Sequence, residues 1–190
     1  VKNDYASHEK LRERVLALPK FGNDDAADDD DAVKMANVML DAVEQARHMP
    51  EELVVPAFYS LERDNVWAAS LPATPDGRRA GSPISENQSP TYGADKQGLT
   101  ALLNSLARLP FGRTAAGGLN LTFTSHSAIS PEILSALIKT YFEAGGLHIG
   151  ITRLCRAELE DAMRHPEKYP TLTVRLYGFS EYFVSLPEWQ

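Results

Sequence analysis

Residues Thr171-Leu172-Thr173-Val174-Arg175-Leu176-Tyr177-Gly178-Phe179-Ser180 read as a strand interrupted by a glycine. Leu172 and Val174 alternate with Thr173 and Arg175, the period-2 pattern of a half-buried strand, and an apolar run resumes over 182–186. A glycine inside such a pattern weakens it, so Gly178 requires an explanation. On local sequence it is a bulge or a hairpin tip. A chemical alternative is that the residue stores an electron. With no Cβ to clash, a glycine that loses one α-hydrogen leaves a planar carbon radical between a donor nitrogen and an acceptor carbonyl.

Upstream, strands and helices alternate. The spacing of Leu147 to Leu154 predicts a strand, and 157–164 a short helix closed by His165-Pro166. A helix over 130–144 carries Ser130 as cap, Pro131 at its first position, Glu132 in the first turn and Gly145 just past its end. Before it lie a strand over 119–124 and a helix over 100–109 built on Leu102, Leu103, Leu106 and Leu109. Prolines and glycines punctuate 70–98, a long irregular segment of the kind that is either functional or disordered. Further back, a strand is expected over 53–59 and a helix over about 31–47 with Val33, Ala36, Val38, Leu40 and Val43 apolar. The acidic run from Asp24 to Asp31 reads as a solvated face or a first helical turn. At the start, Leu11, Val15 and Leu18 define one face of a helix over 5–18, capped by Ser7 and stopped by Pro19. The order implies an α/β layout with a mostly parallel sheet or barrel and no internal repeat.

Composition narrows the classes. The 190 residues include 19 Lys plus Arg against 26 Asp plus Glu, a formal charge of −7 that offers no basic footprint for nucleic acid. Apolar residues are 43% and charged residues 24%, which suits a globular domain and excludes collagen, coiled coil and disorder. No window approaches the ~20 apolar residues of a membrane span and no leader opens the chain, so a cytoplasmic location without membrane association is expected. The single cysteine, Cys155, excludes a disulfide framework or a Cys-rich metal site. His148 reads as a packed histidine, and no metal site is expected. The chain opens on Val1, which suggests a piece of something longer.

Ordered motifs then connect the chain to a family. The stretch 171–180 resembles the C-terminal signature of the glycyl radical enzymes, the pyruvate formate-lyase and glycerol dehydratase superfamily: Val-Arg-Val, a small residue, Gly, Tyr, a small residue. Pro19-Lys20-Phe21-Gly22-Asn23-Asp24 is similar to its Pro-Lys-Tyr-Gly-Asn-Asp element, and Thr74-Pro75-Asp76-Gly77-Arg78 to its Thr-Pro-Asp-Gly-Arg loop. Ser89-Pro90, Gly93, Asp95, Gly98, Tyr141-Phe142, Gly145-Gly146 and His165-Pro166-Glu167-Lys168-Tyr169 follow at family spacing.

The resemblance implies the C-terminal part of a ten-stranded α/β barrel, with 1–66 ending a pyruvate formate-lyase-like catalytic domain and 67–190 forming a glycine-radical domain. It implies that Gly178 holds a radical, with Arg175, Tyr177, Phe179 and Ser180 as its environment and Phe183 completing an aromatic collar. No cofactor would be bound. The radical would be installed by an activating enzyme that uses S-adenosylmethionine and an iron–sulfur cluster. It would pass to a catalytic cysteine on the remainder of the catalytic chain or on another subunit, in an oxygen-sensitive lyase, dehydratase or formate acetyltransferase of anaerobic metabolism. The full enzyme would be a homodimer cleaving C–C, C–O or C–N bonds of a small substrate. A stand-alone radical subunit and a noncatalytic α/β binding domain are the alternatives.

Three departures stand out. Cys155 is not at the family's thiol position and is expected to be a bystander. Gly150 and Thr152 stand where many members carry Gln and Asn. Tyr177 replaces a small residue in the radical loop.

Overall fold

The computed structural model describes residues 3–46, 53–59, 64–124, 129–176 and 179–186. The first helix, α1, spans Glu9–Leu16. His8, not Ser7, is its N-cap, because Asp4, Tyr5 and Ser7 all adopt positive φ and turn the chain before the helix begins. That turn buries Tyr5, whose hydroxyl donates to Thr74 O at 2.5 Å. The expected apolar face is not a core face: no residue of α1 is buried, and Leu11 and Leu18 are exposed. Polar contacts dock the helix instead, with Arg12 Nε donating to Gly77 O at 2.8 Å and Arg79 paired to Glu9 at 2.6 Å.

Helix α2, Ala26–Gln45, starts about five residues earlier than its apolar periodicity suggests. Asp25 is the N-cap and accepts from Ala27 N at 3.0 Å, and Asp28 and Asp29 fill the first turn, where carboxylates meet the positive end of the helix dipole. Ala36 and Leu40 face inward as expected, whereas Val38 is exposed. Asp29 is also fully buried, with Arg108 Nη1 3.7 Å away.

Strand β1 is only Ala57–Phe58, shorter than the apolar run around it. Pro56, lacking an N–H, can only accept, and does so from Ala115 N at 2.8 Å. Helix α3 is Asp64–Ser70. In the irregular stretch beyond it, Thr74 N donates to Arg78 O at 3.0 Å around Gly77, whose φ of 100° disfavours a side chain. The buried Arg78 guanidinium donates to the carbonyls of Pro72 and Ser82, both at 2.6 Å, so a cation serves as the scaffold of a loop with little apolar packing.

Helix α4, Leu99–Ala107, carries the centre of the core. Leu102, Leu103 and Leu106 meet Leu119, Leu121 and Tyr141. Each fully buried leucine contributes about 1.5–3 kcal/mol. Strand β2, Ala116–Gly117, pairs in parallel with β1. Strand β3, Asn120–Thr124, runs through α5, Pro131–Glu143, to β4, Gly150–Leu154, which pairs in parallel with β3 over all five positions. The predicted caps of α5 hold: Ser130 accepts from Ile133 N at 3.3 Å, and Gly145 has a φ of 103°. Helix α6 is Arg156–Arg164, and β5, Thr173–Leu176, and β6, Phe179–Tyr182, form an antiparallel pair. The parallel expectation thus holds for two strand pairs and fails for the third. Among the described residues the strands form three two-stranded pieces and no ten-stranded barrel.

Candidate functional site

The β5–β6 hairpin is built from alternation. Val174 is buried, while Thr173 and Arg175 on either side point to the opposite face. Its register pairs Thr173 with Tyr182, Val174 with Glu181, Arg175 with Ser180 and Leu176 with Phe179. The two residues between the last pair are Tyr177 and Gly178. They lie outside the described residues. Phe183 N donates to Leu172 O at 2.8 Å and closes the base of the hairpin. Of the other expected members of the radical-loop environment, Ser180 is exposed, Arg175 and Phe183 are half-buried, and the side chain of Phe179 lies outside the described part.

Beside the hairpin is a cleft of about 510 Å³ between the segment 86–99 and the edges of β3, β4 and β5. Arg175, Thr152, Asn120 and Glu86 contribute its polar wall and Leu102, Leu121 and Phe123 its apolar one. Asn120 Nδ2 donates to the Glu86 carboxylate. Neither residue carries a local signal that singles it out, because the two are 34 positions apart in sequence.

A second assembly explains why the motif at 20–24 accompanies the glycines at 93–98. Asn23 Nδ2 donates to Lys20 O at 2.9 Å and to Ala94 O at 2.7 Å. Its Oδ1 accepts from Lys96 N at 2.8 Å and Gln97 N at 3.1 Å. Asp24 N donates to Ser105 Oγ at 2.9 Å, and Asn104 Nδ2 donates to Asp24 Oδ2 at 2.8 Å. Nearby, burial pushes the Asp28 carboxyl above its ordinary value, reinforced by the charges of Asp25, Asp29 and Asp31.

Cys155 lies at the N-cap of α6, half-buried, away from the hairpin in sequence. Arg156 is turned to Glu160 at 2.7 Å. Tyr169 Oη donates to Asp161 at 2.8 Å and holds that carboxyl below the usual range. Among the described residues, no group of three His, Cys, Asp or Glu side chains could hold a metal ion, and no helix is long and apolar enough to cross a membrane.

These features define an α/β protein whose final strand pair is joined through a glycine. The family model described as "Glycine radical" matches residues 84–184, more than half of the chain, and "Pyruvate formate lyase-like" matches 1–67. The chain belongs to the glycyl radical family. It is 32% identical over 184 residues to formate acetyltransferase 1 of Escherichia coli, covering 90% of this chain and 24% of that protein. It is 35% identical over 199 residues to the probable dehydratase YbiW of the same organism, covering 96% and 24%. The glycerol-bound B12-independent glycerol dehydratase of Clostridium butyricum superimposes on 98% of the chain with a TM-score of 0.89 at 30% identity, again over 24% of the larger protein. The chain therefore spans about a quarter of the length of the relatives it matches.

Proposed function

We propose that this chain is the radical-storing portion of a glycyl radical lyase, with Gly178 as the radical site. The observation that carries the reading is the match of the glycine-radical family model through a hairpin in which Gly178 is one of only two residues between the paired Leu176 and Phe179. An activating enzyme using S-adenosylmethionine and an iron–sulfur cluster removes one hydrogen atom from the Gly178 α-carbon. The resulting radical takes the hydrogen atom of a cysteine thiol, which restores the glycine and leaves a sulfur-centred radical to attack substrate. Cys155 is not that cysteine in this reading. The thiol lies outside this sequence, on the remainder of the catalytic chain or on a partner subunit. The aromatic residues Tyr177, Phe179 and Phe183 keep water and oxygen from the radical.

In the same reading, residues 1–66 end the catalytic domain and 67–190 form the glycine-radical domain. The division falls within α3 and is bridged by the bonds of Asn23 and Asp24. The strand pairs contribute to the ten-stranded barrel of a homodimeric cytoplasmic enzyme. Its reaction is C–C, C–O or C–N cleavage of a small substrate, in the class of the formate acetyltransferase and dehydratase relatives.

The test is electron paramagnetic resonance of the enzyme after anaerobic activation. A doublet that disappears in Gly178→Ala supports the assignment, as does backbone cleavage at Gly178 on exposure to oxygen, releasing the segment that follows it. A wild-type spectrum indistinguishable from that of Gly178→Ala, with an activating enzyme proven competent on another substrate, would sink it.

A further inference from the structure

Gly150 stands at the first position of β4, buried, with its N–H donating to Leu119 O at 2.7 Å. Its backbone does not need a glycine, because its φ is not in the left-handed region. What needs the glycine is the space above it. A Cβ on this residue would stand 2.5 Å from Asn120 Oδ1, 2.8 Å from Arg175 Nε and 3.4 Å from Arg175 Cδ. The amide oxygen of Asn120 and the Cδ–Nε stretch of Arg175, from two other strands, therefore occupy the volume that any other residue would claim, the close approach that a glycine in a strand often marks. Asn120 is the residue paired with Gly150 across the parallel ladder, and its amide is held from the far side by the Glu86 carboxylate. Arg175 comes from β5, one residue before the last strand pair that flanks Tyr177 and Gly178.

We infer that Gly150 is a seat for Arg175, and that Arg175, so seated, is a positioning residue that fixes the β5–β6 hairpin against the β3–β4 pair. Any residue other than glycine at this point would place its Cβ where Arg175 and Asn120 now lie. Val174 anchors the hairpin from one face through burial, and Arg175 anchors it from the other through β4. Seating depends only on the packing. Its consequence for the radical rests on the assignment of Gly178 given above.

The experiment compares wild type, Gly150→Ala, Arg175→Ala, Arg175→Lys and the Gly150→Ala/Arg175→Ala double variant in the intact enzyme. Amide hydrogen exchange over 173–182 and the decay of the anaerobic radical signal are followed. Gly150→Ala displaces side-chain atoms and no backbone, so the α4 and α5 amides keep their protection. The hairpin amides exchange about twofold to tenfold faster, the factor that loss of one side-chain interaction produces. Arg175→Ala matches it, the double variant is no worse than Arg175→Ala alone, and Arg175→Lys recovers part of the protection. In both single variants the radical decays faster. Unchanged hairpin exchange in Gly150→Ala overturns the proposal, as do additive effects in the double variant. If Gly150→Ala does not fold, equal exchange in Arg175→Ala and wild type overturns it in its place. If wild type gives no doublet, the radical assignment fails while the exchange comparison still decides the seating.

Discussion

Pro90 occupies the space beside Gly22: a Cβ on Gly22 would stand 2.3 Å from Pro90 Cγ. Gly22 also has a φ of 97°, so backbone and packing both exclude a side chain. Gly22→Ala is expected to cost about 2–4 kcal/mol, combining the left-handed penalty with overpacking. Urea denaturation should register this as a lower midpoint at unchanged slope.

Asn23 satisfies two carbonyls and two backbone N–H groups at once. Its replacement by alanine hands four partly exposed groups to water, at a cost of about 1–3 kcal/mol. Asn23→Asp keeps the acceptor that Lys96 N and Gln97 N use and loses the donor to Lys20 O and Ala94 O, so its stability should lie between the two. Amide exchange at Lys96 and Gln97 separates the cases: protection is lost in Asn23→Ala and retained in Asn23→Asp.

Asp28 carries the sharpest pH prediction. Burial raises its carboxyl above the ordinary value of 3.8, and Asp25, Asp29 and Asp31 push it further. A group whose folded pKa is raised contributes stability in full below its unfolded pKa and loses it as pH rises through the folded value. Asp28→Asn removes that loss, and Asp28 Oδ2 has no hydrogen bond to forfeit. The variant should melt higher than wild type at neutral pH, with the gap closing as pH falls toward 3.8. A gap that stays constant with pH would contradict the assignment.

Ser130 caps α5 and its hydroxyl also holds the Glu132 carboxyl below its usual range. Ser130→Ala should cost about 1 kcal/mol at neutral pH. A lowered carboxylate stabilises above its unfolded pKa and loses that contribution as pH falls through its folded value. The deficit of Ser130→Ala should therefore shrink in acid, and an NMR titration should find the Glu132 midpoint higher in the variant.

Elements whose signals are local were legible. Ser130, Pro131 and Gly145 bracket α5 through their own backbone preferences, and Leu102, Leu103 and Leu106 lie on the buried face of α4 because that face is apolar over consecutive turns. Two helices misled for opposite reasons. Around α2, apolar spacing starts the helix near Asp31, yet the acidic run before it is the first helical turn that the sequence allowed: Asp25 caps the helix and Asp28 and Asp29 fill that turn. In α1, the leucines imply a core face, yet arginines make the contacts. Apolar spacing records which side of a helix could be buried, while burial itself requires a partner surface.

The same division runs through the candidate site. The residue types and order of the motifs, from Pro19 to Phe179, were sufficient to place the chain in the glycyl radical family, because the motifs are local in sequence. The function of Gly150 was not readable that way: in the sequence it is only a glycine within an expected strand. Folding decided it by bringing Asn120 from β3 and Arg175 from β5 into one volume beside β4. Steric exclusion acts between residues distant in the chain, and only the packed strands make them neighbours.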